Sequence, residues 1–333
     1  MATIRVRDVS VPPGQKTFAA VKVGEWADGS AVSIPVSIVH GRDPGPIVAV
    51  AAGIHGDEVV GTEAVRRVTA ELLNPATLRG AVVGVPIVNV PSYILNARTN
   101  VLEDYIGSND ASRQLWTAEP TGSLTERIAC FLRDEVLPLC DVYIDLHSSA
   151  KGSTNYPRAI IAGEFAKMSP ALRKTCDELG EACGYEYVFK PRASSWPGMY
   201  FPPSTAFEER LGKAHIVLET GHAPTIAGAD VLVRGIRNIL VHLKMIEGTI
   251  ERYGPMTLVD RLVAIRGNRG GIWHPRHEIP HVTTEGEVLG HIADLADSVV
   301  EEIRAPVSGI AIKVATQGAV ATGTRLYVLG IPY

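Results

Sequence analysis

Long apolar runs, paired cysteines, a basic excess and low-complexity stretches are all missing from this 333-residue chain. No stretch reaches the ~18 uninterrupted apolar residues of a membrane-spanning helix. The opening MATIRVRDVSVPPGQ alternates apolar and charged residues where a secretory leader would carry an apolar block. Membrane is therefore not an expected partner. The four cysteines, Cys130, Cys140, Cys176 and Cys183, form no Cys-x-x-Cys pair and fall in or beside expected helices. They read as reduced, buried thiols in a cytoplasmic setting. A formal net charge of -4, with no block of five or more like charges, offers no footprint for a polyanion, so nucleic acid is not an expected partner either.

What is present is the profile of an ordinary globular protein, 46% apolar and 20% charged, long enough for one large domain and a small one. Residues 1 to 45 read as short strands and turns. From Ile47 a repeated grammar sets in. Short apolar runs (Ile47 to Ile54, Ala81 to Val88, Val142 to Leu146, His215 to Leu218) read as buried strands. Helical spacing occupies Gly61 to Leu73, the segment opened by Ser123, Pro170 to Cys183, and Gly228 to Ile246. Ser123 followed three residues later by Glu126 is a capping box. Strands alternating with helices predict an α/β fold, a mixed sheet flanked by helices. Near Gly254 the grammar changes to short apolar stretches separated by glycine (GGIWHP, GEVLGHIA, APVSGIAIKVA, GTRLYVLG), which predicts a small all-β module. The expected division is a domain over 1–255 and a C-terminal module over 256–333 that packs on it.

Chemistry-bearing residues gather where these strands end. His55 and Glu58 stand in GIHGDE, spaced so that an imidazole and a carboxylate on one turn can meet one ion. They follow a buried strand, and open α/β sheets place ligands at carboxyl ends. His147 follows the strand-like run VYIDL and would complete a three-ligand zinc set with one position open. Asp145 shares its face of the strand and can orient the imidazole. Glu219, directly after Ile216, Val217 and Leu218, is costly there unless paired or functional. Beside a bound metal it can act as general base. Arg98 could stabilise an oxyanion, and Arg113 could clamp a carboxylate with its fork. Read singly, each residue also fits a structural role: a capped histidine, a salt bridge, a surface arginine.

GIHGDE, then NVPSYILNAR, then DLHSS, then a glutamate closing a late strand resemble the succinylglutamate desuccinylase and aspartoacylase family, within the wider zinc carboxypeptidase-like fold group. The resemblance covers roughly residues 40 to 250, and the C-terminal part is similar to that of bacterial deacetylases of ectoine breakdown. It implies one Zn2+ held by His55, Glu58 and His147, with Glu219 as the catalytic glutamate and Arg98 polarising the scissile carbonyl. The substrate it implies is a small N-acylated amino acid or related amine. Where the family carries Asp-Leu-Asn-Arg, this chain has Asp110-Ala111-Ser112-Arg113. The arginine of the carboxylate clamp is kept and Ser112 replaces its asparagine, which leaves recognition of a free α-carboxylate open.

Two further features need a reading. His277-Glu278-Ile279-Pro280-His281 satisfies HExxH, a zinc signature that works only on a helix, and Pro280 inside it costs about 3 kcal/mol there. These histidines are expected in a loop of the β module. The hairpin Ala305 to Ala311 resembles a lipoyl or biotin carrier but lacks the lysine a carrier needs. The competing functions are a carboxypeptidase acting on short peptides and a zinc-binding protein without catalysis. A homo-oligomer is compatible with a cytosolic enzyme.

Overall fold

Period-two alternation builds longer strands near the N-terminus than the sequence reading anticipates. The computed structural model describes residues 2–103, 109–164, 166–192 and 207–333. A short antiparallel pair, β1 (Ile4–Val6) and β2 (Val9–Val11), precedes β3 (Gln15–Glu25) and β4 (Ala31–His40), which form one long hairpin. In β4, Val32, Ile34, Val36 and Ile38 are fully buried while the residues between them are not, the alternation of a strand with one face on a core. After these come β5 (Asp43–Ala51), α1 (Val60–Arg67), β6 (Arg79–Val85), α2 (Val90–Ile94), α3 (Ala111–Gln114) and α4 (Leu124–Phe131). The capping box of α4 forms as expected, Ser123 and Glu126 each accepting from the other's backbone N–H.

Strands β7 (Val142–Ser149) and β8 (Ser153–Ile160), helix α5 (Pro170–Ala182), β9 (Tyr187–Phe189), α6 (Phe207–Leu211), β10 (Ala214–His222) and α7 (Ala229–His242) complete the helix-bearing part. From Thr257 onward the described elements are all strands: β11 (Thr257–Arg266), β12 (Gly271–Pro275), β13 (His281–Thr283), β14 (Val288–Ala293), β15 (Val299–Arg304), β16 (Gly309–Ala315), β17 (Ala319–Val320) and β18 (Arg325–Pro332).

Twelve strands join in one mixed sheet, in the order β13-β16-β18-β11-β9-β8-β10-β7-β5-β6-β4-β3, with β15-β14-β12-β17 as a separate antiparallel sheet. The parallel centre, β10-β7-β5-β6, is covered on both faces. Val48 and Val50 of β5, Ile144 and Leu146 of β7, and Ile216 and Leu218 of β10 face a core shared with α1, α5 and α7. Ala49, Ala51 and Tyr143 point the other way, into a core shared with α4. Strand alternation therefore puts Asp145 and His147 on the Tyr143 side of β7, and Glu219 on the side of β10 opposite Leu218.

Strand β16 pairs with β18 and also with β8, and β8 connects through β9 and β11 back to β18. Five strands thus close a hydrogen-bonded ring, with Tyr187, Phe189, Val259, Ile310 and Ile312 buried together among them. The ring draws β8 and β9 from before residue 255 and β11, β16 and β18 from after it.

Candidate active site

The loop that leaves β5 turns sharply to reach α1, and Gly56 makes this possible. A Cβ at Gly56 would lie 2.1 Å from the backbone carbon of Ser92 in α2, so only glycine lets GIHGDE pass that close to the helix. The turn brings both His55 and Glu58 into the interior, with Glu58 only 2% exposed. His147 arrives from β7. The ligand atoms of these three residues lie within 4.8 Å of one another. His55 Nδ1 is 3.2 Å from Glu58 Oε1, and His147 Nδ1 is 2.9 Å from Glu58 Oε2. Glu58 also accepts from the Ser148 backbone N–H at 3.0 Å and from Arg98 Nη1 at 2.7 Å.

The opposite nitrogen of His147, Nε2, sits 3.2 Å from Asp145 Oδ2. This is the arrangement in which a carboxylate behind an imidazole fixes its tautomer and leaves the other nitrogen for a metal. His55 Nδ1 is buried and has no aligned hydrogen bond. An orphaned buried nitrogen facing a carboxylate and a second imidazole fits a cation held among them, and two imidazoles with one carboxylate are a donor set that zinc takes.

Charge balance inside the cluster follows from the same contacts. Burial would push the Glu58 carboxyl up, but the His55 and His147 imidazoles outweigh it and hold the carboxyl well below the usual range. Burial likewise opposes charge on His147, yet Asp145 and Glu58 raise it well above an ordinary histidine. Asp145 is lowered despite its burial, chiefly by His147.

Glu219 and His147 are register partners in the parallel pair β10–β7, and Arg158 of β8 is the partner of Glu219 on its other side. Arg158 Nε donates to Glu219 Oε2 at 2.7 Å, and Asn155 Nδ2 donates to the same oxygen at 3.1 Å. A cavity of about 540 Å³ opens over this row. Arg98, Ser112 and Arg113 line it, as do Lys313 of β16 and Arg325 of β18. Arg113 is exposed and ion-paired at 3.5 Å to Asp110, whose carboxylate also caps α3 by accepting from the Ser112 and Arg113 N–H groups.

The site residues singled out in the sequence, His55, Glu58, Arg98, Ser112, Arg113, Asp145, His147 and Glu219, therefore all line one cavity. Asn155, Arg158, Lys313 and Arg325 line it too and were missed. STNYPRAI, the sequence of β8, is polar, contains Pro157 and lacks an apolar run, so nothing marks it as a strand. Lys313 carried a legible signal, since a lone lysine within GIAIKVA has no reason to be there without a partner. His277 lies in the connection between β12 and β13 as expected, whereas His281 is the first residue of β13 rather than a loop residue, and neither lines this cavity. The four cysteines are buried and free. No described helix is long and apolar enough to cross a membrane.

Residues 44–244, more than half of the chain, match the family described as the succinylglutamate desuccinylase/aspartoacylase catalytic domain. The chain is 27% identical over 288 residues to N-alpha-acetyl-L-2,4-diaminobutyric acid deacetylase of Halomonas elongata, covering 84% of this chain and 80% of that protein. Its fold is similar to the crystal structure of a succinylglutamate desuccinylase/aspartoacylase from Rhodobacter sphaeroides (TM-score 0.79, 25% identity, 96% of each chain covered). It is also similar to the ectoine utilization protein EutE (DoeB) of Ruegeria pomeroyi in its product-bound structure (TM-score 0.79, 21% identity, 96% of this chain and 97% of that chain). The Gly-Ile-His-Gly-Asp-Glu turn, the histidine near the end of β7 and the glutamate beside it on β10 thus sit in a hydrolase fold, and the chain belongs to the succinylglutamate desuccinylase/aspartoacylase family.

Proposed function

We propose that this chain is a zinc-dependent hydrolase that cleaves the amide bond of a small N-acylated amino acid or related amine. One observation carries the reading: His55, Glu58 and His147 converge to within 4.8 Å, and the half-buried Glu219 is the register partner of His147 across the sheet. When bound, zinc supplies a Lewis acid that polarises a carbonyl and makes water more acidic. His55, Glu58 and His147 would hold it, with Asp145 Oδ2 3.2 Å from His147 Nε2 to orient the ring.

Glu219 takes a proton from the attacking water and returns it to the departing nitrogen. Asn155 and Arg158 both bind Glu219 Oε2, which fixes the carboxylate plane and gives the proton-accepting part to Oε1. Arg98 stands by to donate to the carbonyl oxygen as charge develops there. The cavity volume suits a small ligand. Arg113, Lys313 and Arg325 all line the cavity and offer cationic partners to a substrate carboxylate, with Ser112 in place of the family's asparagine. The relative from Halomonas elongata makes acetylated diamino acids the first substrates to try.

The test is bound metal and hydrolysis measured together, for the wild type and Glu219→Ala, against N-acetyl, N-succinyl and N-formyl amino acids and diamines. Glu219→Ala should keep zinc and lose about 10²–10⁴-fold in kcat. A variant that cleaves as fast as wild type, or a wild type without metal, overturns the reading.

A further inference from the structure

The HExxH stretch that cannot work as a helix motif reappears in another form. His277, in the connection after β12, and His281, the first residue of β13, stack their rings face to face with centroids 3.8 Å apart and planes 5° from parallel. Both point Nε2 at a single oxygen, Glu287 Oε1, at 3.1 Å and 2.8 Å. Glu278, the glutamate inside the motif, is exposed. The carboxylate comes instead from the turn before β14.

We propose that His277, His281 and Glu287 form a second cation site, separate from the cavity, that binds a divalent transition metal of the zinc class. The three ligand atoms lie within 4.8 Å of one another. A tetrahedral zinc with bonds of 2.0–2.1 Å spaces its ligands about 3.3 Å apart, so the gaps to Glu287 need open by only a few tenths of an ångström. The two rings are stacked nearly parallel, so each must turn about its Cβ–Cγ bond for both Nε2 lone pairs to meet one ion. One carboxylate oxygen serves two imidazoles, and His277 Nε2 is buried without an aligned hydrogen bond. A cation among the three satisfies all of them at once.

The scaffold is also fixed beforehand. The Tyr327 hydroxyl donates to the His277 carbonyl at 2.7 Å and accepts from its N–H at 3.4 Å. His281 pairs with Ala311 of β16, and the second oxygen of Glu287 accepts from Thr284 N–H at 3.0 Å. Two imidazoles and one carboxylate select late first-row metals over magnesium or calcium. The three side chains are about a quarter exposed, which puts the cluster at the protein surface although His277 Nε2 itself is covered.

The experiment is equilibrium dialysis of the full chain against Zn2+, with metal counted per chain, for wild type, His281→Ala, Glu287→Gln and His147→Ala. The expected counts are about two for wild type and about one for each variant, with hydrolysis by Glu287→Gln unchanged. Thermal melting of the metal-free proteins shows whether each variant is folded, and Glu287→Gln preserves shape if His281→Ala does not fold. The proposal is overturned if Glu287→Gln and His281→Ala bind as much zinc as wild type. It is equally overturned if wild type binds one ion that only His147→Ala removes. One ion lost in His281→Ala but kept in His147→Ala would uphold this site and sink the zinc reading of the cavity, so the two can fail separately.

Discussion

Arg98 reaches Glu58 Oε1 at 2.7 Å while lining the cavity, so its side chain serves two neighbours. If its main task is to stabilise the oxyanion, Arg98→Ala should lower kcat about 10²–10³-fold, change KM little and retain metal. Loss of metal with kcat would instead make Arg98 a residue that positions Glu58. Lys313 offers a second residue-scale test. Burial first, then the nearby Arg158, bring its ammonium down to about 8, against the opposing pull of Glu219. The charge is present below that pH and fades above it. KM for a carboxylate-bearing substrate should therefore rise between about pH 7 and pH 9, and Lys313→Gln should show a high KM with no such rise. An unchanged limb in Lys313→Gln would remove this lysine from substrate binding. At this scale the sequence was informative wherever a polar group closes an apolar run, as at His147 and Glu219. It was silent for Asn155, set between Thr154 and Tyr156, and for Arg158, which follows Pro157 in a stretch without regular alternation.

Elements were legible in proportion to their periodicity. Helix α4 announced itself by Ser123 and Glu126, and Ser123→Ala should cost about 1 kcal/mol in urea melts while leaving hydrolysis intact. Strand β8 is the opposite case. Its partners β10, β9 and β16 come from far along the chain, and the hydrogen bonds that make it a strand are supplied by them rather than by any local preference. Gly56 is an element-scale residue although it sits in the site motif. Gly56→Ala must move α2 or the GIHGDE turn, since a Cβ would meet the Ser92 and Tyr93 backbone at 2.1 and 2.2 Å. A loss of about 1–3 kcal/mol in stability together with a fall in bound metal is expected. An active variant of normal stability would mean that the turn and α2 can move apart at little cost.

Across the whole molecule, the change of grammar near Gly254 is real in the sequence, yet hydrogen bonding runs through it. Composition registers where helices stop, but it carries no information on which strands pair. Because β8, β9, β11, β16 and β18 close one ring, residues 1–255 and 256–333 are expected to melt together. Calorimetry should show one transition, and two separated transitions would mean that the ring opens without loss of either half.

The closed ring also restricts how substrate preference can change over generations. In β16, Ile312 belongs to the ring's interior while its neighbour Lys313 lines the cavity. Adding or deleting one residue there would exchange the two, placing an ammonium in an apolar core and a bare isoleucine where the carboxylate should dock. Descendants of this chain can therefore acquire new substrates by replacing side chains on β8, β16 and β18, whereas changes in the length of those strands would cost them the fold.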